Sequence, residues 1–364
     1  MKINFIDLKA QYEEYQTEID KEVLEVFSSA QFIGGDKLNR LENSLADYTG
    51  AKYAIGCSSG TDALLLSLMA LDIGAGDEVI TTPFTFIATA EVIAFLGATP
   101  VFTDIEESSY NIDPLKIEAA ITDKTKAIMP VSLYGQCADM DAINQIAEKY
   151  ALPVIEDACQ SFGASYKGKK SCNLSTIGCT SFFPSKPLGA YGDGGAIFTN
   201  DEAIAEKIRM LLNHGQNERY KHKYIGINGR LDAVQAAVLN VKLKHFDKEV
   251  KARDEIGSRY NDLLEDAAVI TPEIAQTNTS VFAQYSIRVK NREAMVAKLG
   301  EKEIPTAVHY PLPLHLQDAF AALGYKVGDF PVSEKVASEI MSLPMSPYLS
   351  EDQQDFIVQA IKEG

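Results

Sequence analysis

The chain has 364 residues, 46% hydrophobic and 23% charged, the proportions of a folded globular protein with room for one large and one smaller domain. A formal net charge of -17 excludes a general nucleic-acid surface, which needs clustered Lys and Arg, and leaves room only for an anion in a local basic pocket. The five cysteines (Cys57, Cys137, Cys159, Cys172 and Cys179) contain no C-x-x-C pair and are odd in number, which fits reduced thiols in a cytoplasmic protein.

The opening segment, MKINFIDLKAQYEEYQTEID, is broken by charges before the apolar stretch of a signal peptide could form. Glu91 interrupts the best apolar run, around 87–102, so no membrane span is expected. From about residue 54 to 200, short apolar runs alternate with helical patterns. They predict strands at 54–57, 78–81, 100–103, 127–131, 153–156, 179–183 and 195–199, with helices such as 62–71 and 141–150 between the earlier ones. That is the grammar of a mostly parallel sheet covered by helices on both faces. A long helix is predicted over 231–264. Strands at 281–289 and 306–310 then mix with helices at 292–299, 333–340 and 352–361. The expected fold class is therefore α/β. A large sheet domain over 1–245, opened by a helical arm, is followed by a small α+β domain over 246–364.

The chemistry concentrates in a few segments. Lys186 lies in TSFFPSKPLG (180–189), behind VIEDACQ (154–160), at a distance that lets two neighbouring strands present Asp157 and Lys186 to one pocket. An aldehyde cofactor with a pyridine ring needs such a pair: the lysine holds the aldehyde as a Schiff base and the acid keeps the ring nitrogen protonated. A solvated loop lysine and an unrelated strand-end acid are the plain alternative. SSGTDAL (58–64) joins a strand to a helix, where free N–H groups and small residues suit a single phosphate monoester; N-capping by Ser59 or Thr61 explains it equally. In TPFTF (82–86), Phe86 is placed to stack on a flat ring, against the alternative of two core phenylalanines. GAYGDGG (189–195) reads as a tight turn behind Lys186. In NGRLD (228–232), Arg230 can clamp a carboxylate and Asn228 can donate to a phosphate, with surface capping as the competing account. His309 and Tyr310 end a predicted strand where they could overhang the site; a buried, satisfied histidine is the alternative. The histidines lack metal-ligand spacing, so no metal is expected.

SGTDAL, TPFTF, VIEDACQSFGA, SFFPSKPLGAYGDGG and NGRLDAVQAA, in this order and spacing, resemble the DegT/DnrJ/EryC1/StrS family. These are sugar aminotransferases among the fold-type I pyridoxal-phosphate enzymes. The resemblance covers nearly the whole chain, and the D-x-x-Q…S-x-x-x-x-K combination is its most specific part. It implies pyridoxal 5'-phosphate as cofactor, with Lys186 as Schiff-base lysine and Asp157 as partner of the ring nitrogen. It further implies Gln160 at the ring hydroxyl, Ser181, Gly60 and Thr61 at the phosphate, and Phe86 stacked on the ring. Asn228 would reach the phosphate from the neighbouring subunit, which makes a homodimer with shared sites. Arg230, His309 and Tyr310 would line the amino-acid or sugar pocket. PVSLYGQCADMDAINQIAEKY, SYKGKKSCNLSTIGCTSFF and PTAVHYPLPLH resemble one subgroup of that family. Its members move the amino group of L-glutamate, leaving 2-oxoglutarate, to the C3 ketone of a UDP-linked sugar, UDP-2-acetamido-2-deoxy-3-oxo-glucuronate. The product feeds surface polysaccharide such as the O-antigen of lipopolysaccharide. A 3- or 4-ketohexose aminotransferase on another dTDP, UDP or GDP sugar is the alternative. A non-catalytic cofactor-binding regulator is a further one, opposed by the joint presence of Lys186, Asp157 and Gln160.

Overall fold

In the computed structural model, which describes residues 2–363, two helices open the chain: α1 (Leu8–Ser29) and α2 (Asp36–Thr49). Asp7 caps α1 by accepting from the Ala10 N–H, and left-handed Ala30 and Gly50 end the two helices. The large sheet then builds up through β1 (Tyr53–Cys57), α3 (Gly60–Ala70), β2 (Glu78–Thr81), α4 (Ala88–Phe95), β3 (Thr99–Phe102), α5 (Pro114–Ile117), β4 (Thr125–Ile128), α6 (Met140–Lys149) and β5 (Ile155–Asp157). A two-residue hairpin, β6 (Ser165–Tyr166) and β7 (Lys169–Lys170), precedes β8 (Ile177–Ser181), β9 (Gly195–Thr199) and α7 (Glu202–Leu211). A second small hairpin, β10 (Gln216–Glu218) and β11 (Lys221–His222), leads into the 32-residue α8 (Ala233–Leu264). The chain closes with β12 (Tyr285–Arg288), α9 (Arg292–Glu301), α10 (Pro331–Glu339), β13 (Ile340–Leu343) and α11 (Glu351–Lys362).

The seven large-sheet strands run β1-β9-β8-β5 and β3-β2-β4, and parallel bridges Ile128–Val154 and Val131–Asp157 join β4 to β5. Pairings within and between the two groups are parallel except those of β9, which runs antiparallel to both β1 and β8. The alternation of side chains sets the layers. Ile55, Ile177, Cys179 and Ile197 face α3, α4 and α7, whereas Ala54, Ala196 and Phe198 face α2 and α8. Both faces are thus covered, as the near-continuous apolar runs of the strands require.

Helix α8 runs unbroken through residue 245. Its first half packs Ala236, Leu239 and Phe246 under the sheet, and its second half gives Ile256, Tyr260 and Leu264 to a separate core with β12, β13, α9 and α11. The strand expected at 306–310 is not formed: only Ala307 pairs, with Ser342, because Pro305 and Pro311 bracket the segment and lack N–H donors. The strand expected at 281–289 contracts to β12. The helix expected to reach residue 340 stops at Glu339, since Ile340 enters β13 and pairs with Arg288. Among the described residues, no helix is long and apolar enough to cross a membrane.

Candidate active site

Parallel neighbours β5 and β8, in register at Asp157–Cys179, end on the same edge of the sheet. The chain leaves β8 into a loop that returns at once as β9, with Ser181 opposite Gly195. Lys186 lies in that loop, its N–H bonded to the Phe183 carbonyl (2.8 Å), and the Ala190 N–H donates to the Phe182 carbonyl (2.7 Å). Gly189 lets the loop fold onto itself: a Cβ there would lie 2.4 Å from the Pro184 carbonyl oxygen. The tight turn expected over 189–195 is not formed: the hydrogen-bonded turn lies at Pro184–Ser185, before Lys186, and 189–195 runs irregularly, with one bend at Tyr191–Gly192, into β9 because its N–H and carbonyl groups bond to Phe182 and α8 rather than to each other.

At this edge opens a cavity of about 370 Å³, lined by Gly60, Thr61, Thr85, Phe86, Thr89, Asp157, Cys159, Gln160, Ser181, Lys186, Gln284, His309 and Tyr310, among others. Asp157 is 4% exposed and accepts from Thr89 Oγ1 (2.8 Å) and from the Cys159 N–H (3.2 Å). Burial pushes the pKa of Lys186 down, with Cys159 and Asp157 opposing. Burial, then the charge of Lys186, likewise pushes His309 down, which favours a neutral imidazole; its Nδ1 lies 2.9 Å from Ser342 Oγ.

At the start of α3, Ser59 is the cap, accepting from the Asp62 N–H (3.0 Å). The N–H groups of Gly60 and Thr61 have no acceptor among the described residues, so the capped turn leaves a cup with two free donors. Ser181 closes the cup from the side: a Cβ on Gly60 would lie 2.6 Å from Ser181 Cβ and 2.9 Å from Cys159 Sγ. Gln160 accepts from the Tyr134 N–H (2.8 Å) and donates from Nε2 to the Tyr310 hydroxyl (3.1 Å). Phe86 is 53% exposed, its ring 6.1 Å from that of Tyr310. It is therefore the cavity-facing aromatic of its segment, while Phe84 is fully buried, as a core residue.

Nine of the eleven residues singled out from the sequence thus line one cavity: Gly60, Thr61, Phe86, Asp157, Gln160, Ser181, Lys186, His309 and Tyr310. Asn228 and Arg230 do not. Asn228 is exposed, and Arg230 donates from Nη1 to Asn213 (2.7 Å) while its buried Nε finds no partner among the described residues. Thr85, Thr89 and Gln284 were not singled out. The signal available for the threonines was their spacing of four across the loop that leads from β2 into the first turn of α4.

Residues 13–362 match the DegT/DnrJ/EryC1/StrS aminotransferase family. The chain is 56% identical to a UDP-2-acetamido-2-deoxy-3-oxo-D-glucuronate aminotransferase of Pseudomonas aeruginosa, over 95% of this chain and 96% of that protein. It is 50% identical to a protein of Geobacillus stearothermophilus described as a pleiotropic regulatory protein, over 100% of this chain and 98% of the other. The crystal structure of NtdA from Bacillus subtilis with bound cofactor PMP superposes with a TM-score of 0.92 at 33% identity, covering 99% of this chain and 84% of that one.

Proposed function

Because the chain belongs to the DegT/DnrJ/EryC1/StrS aminotransferase family, we propose that it carries the amino group of L-glutamate to the C3 ketone of UDP-2-acetamido-2-deoxy-3-oxo-D-glucuronate, with pyridoxal phosphate held at Lys186. The observation that carries this reading is the convergence of an amine, a carboxylate and an unclaimed pair of helix N-terminal N–H groups on one cavity. The identity of the acceptor sugar rests on the 56% identity to the Pseudomonas protein.

The residues present fit the cofactor. The Gly60 and Thr61 N–H groups and the Ser181 hydroxyl suit its phosphate, Phe86 suits its ring face, Gln160 its ring hydroxyl and Asp157 its ring nitrogen. When bound, pyridoxal phosphate supplies an electron sink for the pair left on carbon when a proton departs. Asp157, its carboxylate oxygens held by the Thr89 hydroxyl and the Cys159 N–H, would partner the ring nitrogen. Lys186 Nζ, with its pKa lowered by burial, serves as the base that removes the donor's Cα proton and as the acid that returns it. His309, favoured in its neutral form by burial, and the Tyr310 hydroxyl orient the substrate from the cavity wall. Neither Asn228 nor Arg230 lines the cavity within one chain, which favours their service in the cavity of a second copy in a homodimer. The same reading takes 1–245 as cofactor domain, 246–364 as small domain, and the cytoplasm as location.

The test is the visible absorbance of the cofactor-loaded protein. Glutamate should bleach it, and Lys186→Ala should never develop it. No bleaching by any amino donor would leave the description of the Geobacillus relative as the better guide. A panel of amino nucleotide sugars run in the reverse direction then reads the acceptor: conversion of 4-amino sugars alone would transfer the assignment to a 4-ketohexose enzyme.

A further inference from the structure

Thr85 and Thr89 are 3% and 0% exposed, and both belong to the wall of the Lys186 cavity. Thr89 sits in the first turn of α4 and Thr85 in the loop just before it, and a buried hydroxyl at either place costs stability unless it is engaged. Both are engaged with each other and with the site. Thr89 Oγ1 donates to Asp157 Oδ2 (2.8 Å), and the Cys159 N–H donates to Oδ1 (3.2 Å). A carboxylate can only accept, so the Thr89 hydroxyl proton is committed to Asp157. Thr85 Oγ1 lies 3.0 Å from Thr89 Oγ1, and with that proton committed the hydrogen between the two threonines must come from Thr85. The result is a directed chain, Thr85 to Thr89 to Asp157, in which each donation strengthens the next. The Thr89 N–H also donates to the Phe86 carbonyl (3.3 Å), so the hydroxyl and the aromatic ring are carried on one turn.

We propose that Thr89, polarised by Thr85, is a positioning residue that holds Asp157 Oδ2 as the acceptor facing the ring nitrogen of the bound cofactor. The inference rests on the pyridoxal-phosphate reading of the site. Without the hydroxyl, the charge on Oδ2 is satisfied instead by drawing the shared proton away from the ring nitrogen. The ring then withdraws less charge from the atoms joined to Lys186, and the pH at which the bound cofactor changes colour moves upward.

The full chain loaded with pyridoxal phosphate is titrated with base while its visible band is followed, as unmodified protein, Thr89→Val and Thr89→Ser. Thr89→Val keeps the volume and removes the donor; its midpoint should rise by about half a pH unit or more. Thr89→Ser restores the donor and should return the midpoint to the unmodified value. In the glutamate half-reaction, kcat of Thr89→Val should fall roughly tenfold with KM little changed, as expected for a group that acts only as charge develops. An unmoved midpoint in Thr89→Val overturns the proposal while leaving the cofactor reading intact. Absence of the visible band from the unmodified protein overturns the cofactor reading and this inference with it. Should Thr89→Val fail to fold, Thr85→Val carries the test: a smaller upward shift supports the relay and no shift refutes it.

Discussion

Gly60 shows how a single missing side chain shapes the site. A Cβ at this position would meet Ser181 Cβ at 2.6 Å and Cys159 Sγ at 2.9 Å, closer than real carbon contacts allow. Gly60→Ala is therefore expected to push the first turn of α3 away from Ser181, costing about 1–3 kcal/mol of stability by overpacking. The same shift should weaken cofactor binding roughly tenfold, about 1.4 kcal/mol. Thermal unfolding and a cofactor titration measure the two effects. Lys186 offers a pH test. Burial lowers its pKa and so favours the neutral amine, the form that attacks a carbonyl. The rate at which stripped protein captures pyridoxal phosphate should rise with pH and level off below the pH at which an ordinary lysine would. Asp157 opposes the lowering, so Asp157→Asn should move the plateau to still lower pH; stopped-flow absorbance follows it. At this scale the sequence was legible where a residue type and its position coincided: an acid closing an apolar strand, a lysine flanked by aromatics. Thr89 was not, because a threonine inside an apolar helical turn looks like filler until its partner is known.

Helix α8 holds the Lys186 loop by one of its faces. Gln235 accepts from the Tyr191 N–H (2.9 Å) and donates to the Tyr191 carbonyl (3.3 Å). Two turns on, buried Lys242 donates to the Gly189 carbonyl (2.6 Å) with its ammonium 4.1 Å from the centre of the Tyr191 ring. Burial pushes Lys242 down to about 7 from an ordinary value of 10.5. Between those pH values the unfolded chain binds the extra proton and the folded chain does not, so stability rises with pH, at up to about 1.4 kcal/mol per unit. Below about 7 the folded state bears the full cost of the buried charge. Lys242→Met removes this slope and leaves the Gly189 carbonyl unpaired at about 1–3 kcal/mol. In urea unfolding at pH 7, 8 and 9, the stability difference should therefore shift steadily in favour of the unmodified protein. The length of α8 and the apolar strands were readable from periodicity. The 306–310 strand was misread because β-prone residues there are bracketed by prolines, and β13 was hidden behind a helical pattern that its pairing with β12 interrupts.

At the scale of the whole molecule, the sheet and its covering helices were foreseen from the alternation of strand and helix patterns. The reversal of β9 was not, since direction leaves no trace in an apolar run. The proposed pairing of copies, read only from the place of Asn228 in the family resemblance, has its own test. If Asn228 completes the cavity of a second copy, Lys186→Ala and Asn228→Ala subunits are each inactive alone but together form a mixed dimer with one intact site. Co-folding equal amounts should recover about a quarter of the unmodified activity, the share expected for random pairing in a twofold dimer. No recovery would place Asn228 and Lys186 in the service of the same chain. The reversal of β9 also fixes when competence is acquired. Ser181–Gly195 closes the base of the Lys186 loop, and β9 is held on its other side by β1, whose Cys57 pairs with Gly195 from more than a hundred residues away. Closing so long a loop is slow and is not rewarded piecemeal. A chain emerging from the ribosome therefore cannot complete the surroundings of Lys186 until β9 has been released and inserted between β1 and β8. If Lys186 holds the cofactor as proposed, its capture reports that the central sheet is complete.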